Sequence, residues 1–196
     1  MEKTVEFYFD VGSPASYIAH KRLRAGFLGD VPVQWKPILL GGLLQSIGNP
    51  MPTAVAAKRA WMEVDFARSA QRIGIPFVWN HAFPVNTMFW MRALTAMVGR
   101  PQFLPLADAV FDALWAGDLD LSKPEQQDTL LRQVGLVPQS LDAMASDEGV
   151  KSRLRAETAA LAERGGFGAP TFFVGDEMFF GQDRMDFVAQ AVRSLA

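Results

Sequence analysis

The apolar pattern changes character twice along the chain. Val5-Glu6-Phe7-Tyr8-Phe9 is aromatic and β-branched, the composition of a strand, and Asp10-Val11-Gly12 is the turn chemistry that stops it. Ser13 then suits a helix N-cap, with Pro14 at the first helical position, where its missing N–H costs nothing. That helix is expected to run to about Phe27. After Gly29-Asp30, Val31 to Pro37 reads as a second strand, giving a β-α-β unit whose crossover makes the two strands parallel.

From about Leu39 the strand signal disappears. Gly41-Gly42 and Gly48-Asn49-Pro50-Met51-Pro52 read as loop chemistry, and alanine-rich, helix-periodic segments follow. Helices are predicted over 54–73, 87–98, 101–116, 124–134 and 147–164. The β pattern returns at Thr171-Phe172-Phe173-Val174, and Gly175-Asp176 joins it to Glu177-Met178-Phe179-Phe180 as a tight hairpin. A last helix is expected from about Asp183 to Leu195. This order predicts an α/β protein of thioredoxin-like fold with a large α-helical insertion domain. The expected division is a discontinuous thioredoxin-like domain (1–38 plus 165–196, helix 147–164 bridging) and a helical domain over 39–164.

Composition narrows the function classes. With 196 residues, 49% apolar and 20% charged, the chain has ordinary globular content and the length for a substantial core. A formal net charge of -2, with scattered basic residues, gives no electrostatic footprint for nucleic acid or for a membrane surface. Met1-Glu2-Lys3-Thr4 leads straight into a strand without a leader pattern, and no apolar run approaches the roughly 18 residues of a membrane span. A cytoplasmic protein is expected.

There is no cysteine. A strand, a turn and a helix opening on C-x-x-C would be a thioredoxin-type redox site, and here Ser13-Pro14-Ala15-Ser16 puts serine at both sulfur positions. Any thiol must therefore come from outside. The helix start at Ser13 favours an anion and would lower the pKa of a thiol placed there, although a lone serine here also reads simply as a cap. Gly165 to Thr171 has the glycine content for close backbone approach, with Pro170 a candidate cis bond. In a thioredoxin-like protein the residue before that proline pairs with an extended thiol peptide as an added strand would. Asp183 caps the last helix or holds a ligand ammonium group; Asn49 is a turn former or a ligand, and Lys58 a solvated charge or a ligand. His20 and His81 lack the companions of a metal site, and no nucleotide-binding glycine motif or nucleophile-elbow serine occurs.

Phe7-Tyr8-Phe9-Asp10-x-x-Ser13-Pro14-x-Ser16-Tyr17, taken with Phe167-Gly168-x-Pro170-Thr171 and Phe180-Gly181-x-Asp183-Arg184, resembles the 2-hydroxychromene-2-carboxylate isomerases. That family is similar to kappa-class glutathione transferases within the DsbA-like thioredoxin group. The resemblance implies glutathione as the imported thiol, held as thiolate by Ser13, with Ala169 pairing with its cysteinyl backbone beside cis-Pro170. Phe180, Gly181, Gln182 and Asp183 would bind the γ-glutamyl end, and Asn49 and Lys58 would contact the rest. It further implies a homodimer and a small aromatic substrate. In the family's reaction the thiolate adds to an unsaturated aromatic keto-acid, permits bond rotation and leaves, in naphthalene-type aromatic catabolism.

The substrate side departs from the family pattern. Where relatives carry polar and basic groups and a tyrosine, this chain has Leu44, Pro52-Thr53 and the Phe83 region, and its only tyrosines are Tyr8 and Tyr17. Phe83, Asn86 and Trp90 are the candidate substrate contacts, Asn86 serving equally as a helix cap. Two rivals share the same groove: a kappa-like transferase that conjugates electrophiles, and a non-catalytic peptide-binding or chaperone module.

Overall fold

The computed structural model describes residues 4–194. A four-stranded sheet has the order β2-β1-β3-β4, built from β1 (Val5–Phe9), β2 (Val33–Pro37), β3 (Thr171–Val174) and β4 (Glu177–Phe180). β1 and β2 are parallel, with Val5 opposite Val33 and Phe9 opposite Pro37. β3 is antiparallel to both β1 and β4. The expected β-α-β unit and hairpin are therefore both present. Helix α1 (Pro14–Arg24) is the crossover, and it stops three residues short of the expected Phe27 because Gly26 turns into the left-handed region.

Between β2 and β3 lie α2 (Leu40–Ser46), α3 (Ala56–Ile73), α4 (Met88–Met97), α5 (Phe103–Trp115), α6 (Pro124–Gln133), α7 (Pro138–Ser146) and α8 (Glu148–Glu163). Five match the predicted helices to within about two residues, and a short 3-10 turn over Pro52–Ala54 precedes α3. Two depart from expectation. α2 forms across Gly41-Gly42, which the sequence reads as loop, and α7 occupies a stretch with no predicted element. After β4, a 3-10 turn over Gln182–Arg184 precedes α9 (Met185–Ser194), so the last helix begins two residues later than expected; Leu195 lies outside the described residues.

One apolar core joins sheet and helices. Phe7 stacks between Phe9 and Phe172, each with ring centroids 5.1 Å away, and Phe111 of α5 closes on Phe9 at 5.8 Å. His20 of α1 is buried against Phe111 and Trp35, with Nε2 2.6 Å from the Asp108 carboxylate. Burial lowers its pKa, against the pull of the Asp108 carboxylate. No described helix is long and apolar enough to cross a membrane.

Candidate active site

The turn between β1 and α1 is bonded at nearly every polar atom. Ser13 N–H donates to Asp10 O at 3.0 Å, and Gly12 N–H donates to Asp10 Oδ1 at 2.9 Å. The Trp115 indole N–H donates to Val11 O at 2.8 Å, while Val11 N–H points at Met91 Sδ, 3.4 Å away. These contacts reach from the strand exit into α4 and α5. They fix the direction in which Ser13 leaves the sheet.

Ser13 caps α1 as expected. Its Oγ accepts from Ser16 N–H at 3.1 Å, and its hydroxyl donates to the carbonyl of Ala169 at 2.9 Å, 156 residues away. The Ala169-Pro170 peptide is cis, as the resemblance implied, and Phe83-Pro84, which the sequence did not single out, is cis as well. Pro170 O accepts from Gly181 N–H at 2.9 Å, tying this segment to the end of β4. Among the described residues, Ala169 N–H has no hydrogen-bond partner. A nearly buried peptide N–H without a partner is uncommon and calls for an external acceptor.

A cavity of about 630 Å³ opens in front of Ser13. It brings together Ser13, Asn49, Phe83, Asn86, Ala169 and Phe180 from the candidate residues. Asn49 donates to Phe167 O at 3.3 Å, which links the α2–α3 loop to the glycine-rich segment, and the rings of Phe167 and Phe180 lie 4.5 Å apart. Asn86 Oδ1 accepts from Met88 N–H at 3.1 Å, so it caps α4 while lining the cavity. Gly181, Gln182 and Asp183 follow directly on Phe180, outside the wall itself. Gln182 donates to Ser69 Oγ at 3.3 Å, and exposed Asp183 pairs with Arg184.

Two candidates fall elsewhere. Trp90 is fully buried on the core side of α4, beside Phe89 and Met91, and does not line the cavity, because the helix turns its large apolar face inward. Lys58 is exposed in the first turn of α3, outside the cavity wall. Both tyrosines are held away: the Tyr8 hydroxyl donates to Glu6 and that of Tyr17 to Pro76 O.

Asp10 is the site residue that sequence reasoning passed over as turn chemistry. It is 2% exposed yet lines the cavity, and its Oδ2 accepts from Leu40 N–H at 2.9 Å, 30 residues away. The Thr87 side chain lines the same cavity and favours the ionised form of Asp10. Burial raises its pKa above the ordinary carboxyl value, against the pull of these neighbours. A local signal existed: an acid at the inner end of an apolar strand is more costly than one in a surface turn.

Residues 4–193 match the family model of the DSBA-like thioredoxin domain. The 2-hydroxychromene-2-carboxylate isomerase of Sphingobium xenophagum is 30% identical over 196 residues, covering 96% of this chain and 97% of that protein. The chain belongs to this isomerase family, within the DSBA-like thioredoxin group. Glutathione S-transferase kappa 1 of Rattus norvegicus is 28% identical, covering 95% of this chain and 90% of the relative. A solved 2-hydroxychromene-2-carboxylate isomerase superposes with a TM-score of 0.88 at 28% identity, covering 98% of this chain and 95% of that one. Membership of the isomerase family makes the chain an enzyme, and the expected thioredoxin-like fold with its helical insertion is the fold observed.

Proposed function

We propose that the protein is a glutathione-dependent isomerase of the 2-hydroxychromene-2-carboxylate isomerase type, acting on an unsaturated aromatic keto-acid in aromatic catabolism. The observation that carries this is the Ser13–Ala169 pair: a hydroxyl at a helix start bonded to the carbonyl of a residue whose N–H is unpartnered. A serine hydroxyl has one proton to give. When it turns to a sulfur, Ala169 O is released to accept from an incoming peptide N–H, beside its own free N–H. Thiol activation and backbone capture thus use one switchable bond, and the residues present fit glutathione.

Ser13 and Ala169 would hold the cysteinyl portion, Phe180 to Asp183 the γ-glutamyl end, and Asn49 and Lys58 the remainder. Bound glutathione supplies the thiolate nucleophile and is regenerated at each turnover. Ser13 Oγ keeps the Ser16 N–H bond throughout, so the hydroxyl is aimed by the helix start and needs no reorganisation. Phe83, Val85, Met62 and Phe66 give the aromatic substrate an apolar wall that excludes water. We place the protein in the reducing cytosol, where glutathione is available. A homodimer is supported by exposed Trp61 and Val64 on α3, an apolar pair that a second copy would cover.

A second reading, kappa-like conjugation of uncharged electrophiles, is supported by the cavity wall, which contains no Lys, Arg or His among the described residues. Assaying free glutathione separates the two: it stays constant under isomerisation and falls under transfer. Ser13→Ala tests the shared step. It is expected to keep the fold and to lose about 1.5 to 3 kcal/mol of thiolate stabilisation, roughly ten- to a hundredfold, read as a raised pKa of the bound thiol by ultraviolet thiolate absorbance. An unchanged pH profile and undiminished turnover at neutral pH would remove Ser13 from the mechanism.

A further inference from the structure

Asp10 is left without a task by the steps above, although it is the one ionisable side chain in the cavity wall among the described residues. It is a buried carboxyl three residues before Ser13 in the same wall, and the groups acting on it are all uncharged. They are Gly12 N–H from the β1–α1 turn, Leu40 N–H from α2 and the Thr87 hydroxyl at the start of α4. No Lys, Arg or His faces it from β1, α1, α2 or α4 within that wall. Two negative charges in one desolvated pocket repel strongly, and such pairs titrate together, sharing a proton between them.

We infer that Asp10 receives the proton that the glutathione thiol gives up on binding, so that the pocket carries one negative charge, on Asp10 in the free protein and on sulfur in the complex. This rests on the glutathione reading above. In the exchange the S–H bond breaks, its electron pair stays on sulfur, and an O–H bond forms on the Asp10 carboxylate; no oxidant or reductant takes part. In the free protein two backbone N–H donors favour the ionised carboxylate, against the burial that raises its pKa. Once Asp10 is protonated, the two backbone N–H bonds to its carboxyl oxygens persist, and the Thr87 hydroxyl in the same wall is available to accept, because a hydroxyl both donates and accepts. On release the proton returns to sulfur. The pocket is thereby protected from holding either two charges or none.

The consequence is that glutathione binds as thiolate without releasing a proton to solvent. Calorimetric titration of the full chain with reduced glutathione, in two neutral buffers of different ionisation enthalpy, reads this directly. The expected result is thiolate absorbance on binding with the same apparent enthalpy in both buffers, that is, close to zero protons released. Asp10→Asn is expected to release about one proton per glutathione bound. Thr87→Val removes a hydroxyl that favours the ionised carboxylate, so it should raise proton release above the native level whether or not the Asn variant folds. Thiolate formation with about one proton released by the native protein overturns the inference and leaves the glutathione reading standing. No increase in release in either variant also overturns it. Absence of both heat and thiolate absorbance overturns the glutathione reading and the inference together.

Discussion

At the β1–α1 turn, Ser13 is almost fully buried and its neighbours are bonded from three helices, α2, α4 and α5; at the turn after β4, Asp183 stands in solvent and pairs with the adjacent Arg184. The two turns are built under different physical terms. Where charge must be stabilised, dipoles fixed in advance cost no reorganisation at the moment of reaction. Where an outer group of a ligand is to be recognised, an exposed ion pair is weak and easily exchanged. The first turn therefore depends on the core behind it, and the second depends on its own backbone shape.

The most severe way to break this comparison is to remove the support behind the first turn. Trp115 is fully buried, stacks on Phe77 with the ring planes 2° apart, and donates to Val11 O. Trp115→Ala is expected to lose about 3 to 5 kcal/mol of stability, read from the urea midpoint. Trp115→Phe keeps most of the apolar volume and orphans the Val11 carbonyl, so about 1 to 3 kcal/mol should go. A loss within 0.5 kcal/mol for the Phe variant, on the order of an ordinary surface change, would show that the turn holds itself.

The same contrast explains what could be read from the sequence. The Ser13 cap and the hairpin are local: an N-cap with Pro at the next position, and a Gly-Asp turn between apolar runs, carry their physics within four residues. Asp10 and α2 carry theirs across the fold. Gly41-Gly42 is poor helix chemistry by propensity, yet Leu40 N–H finds Asp10 and Leu39 N–H finds Thr158, and these tertiary partners set the start of the helix. Trp90 shows the opposite failure. Its helical spacing was visible, but which face of α4 meets the cavity is decided by the neighbouring helices. The assembled groove was legible mainly through its two end motifs, and its substrate wall was not.

A weaker blow falls on the backbone of the second turn. Gly181 has φ 95° and ψ 153°, a region that side-chain-bearing residues scarcely enter, and a Cβ there would sit 2.6 Å from Asp183 Oδ1. Gly181→Ala is expected to cost about 1 to 3 kcal/mol in thermal or urea unfolding and to weaken glutathione binding. The bound thiol's pH profile should stay as in the native protein, since Ser13 and Asp10 keep their partners. A shifted profile would mean that the two turns are coupled through Pro170 O, which accepts from Gly181 N–H.

The smallest expected effect distinguishes capping from recognition at Asp183. Asp183→Asn preserves shape and one acceptor oxygen, and it removes the charge that pairs with Arg184. Because that pair is exposed, folding stability should move by less than about 0.5 kcal/mol. Glutathione affinity, in contrast, should fall by about three- to tenfold if the carboxylate meets the ligand's ammonium group, a charge-assisted bond of about 1 kcal/mol at a solvated site. Turnover at saturating glutathione should be unchanged, because the charge acts far from sulfur and binds ground and transition states alike. Unchanged affinity would return Asp183 to the role of ordering the turn before α9, and the proposed glutathione site would then end at Phe180.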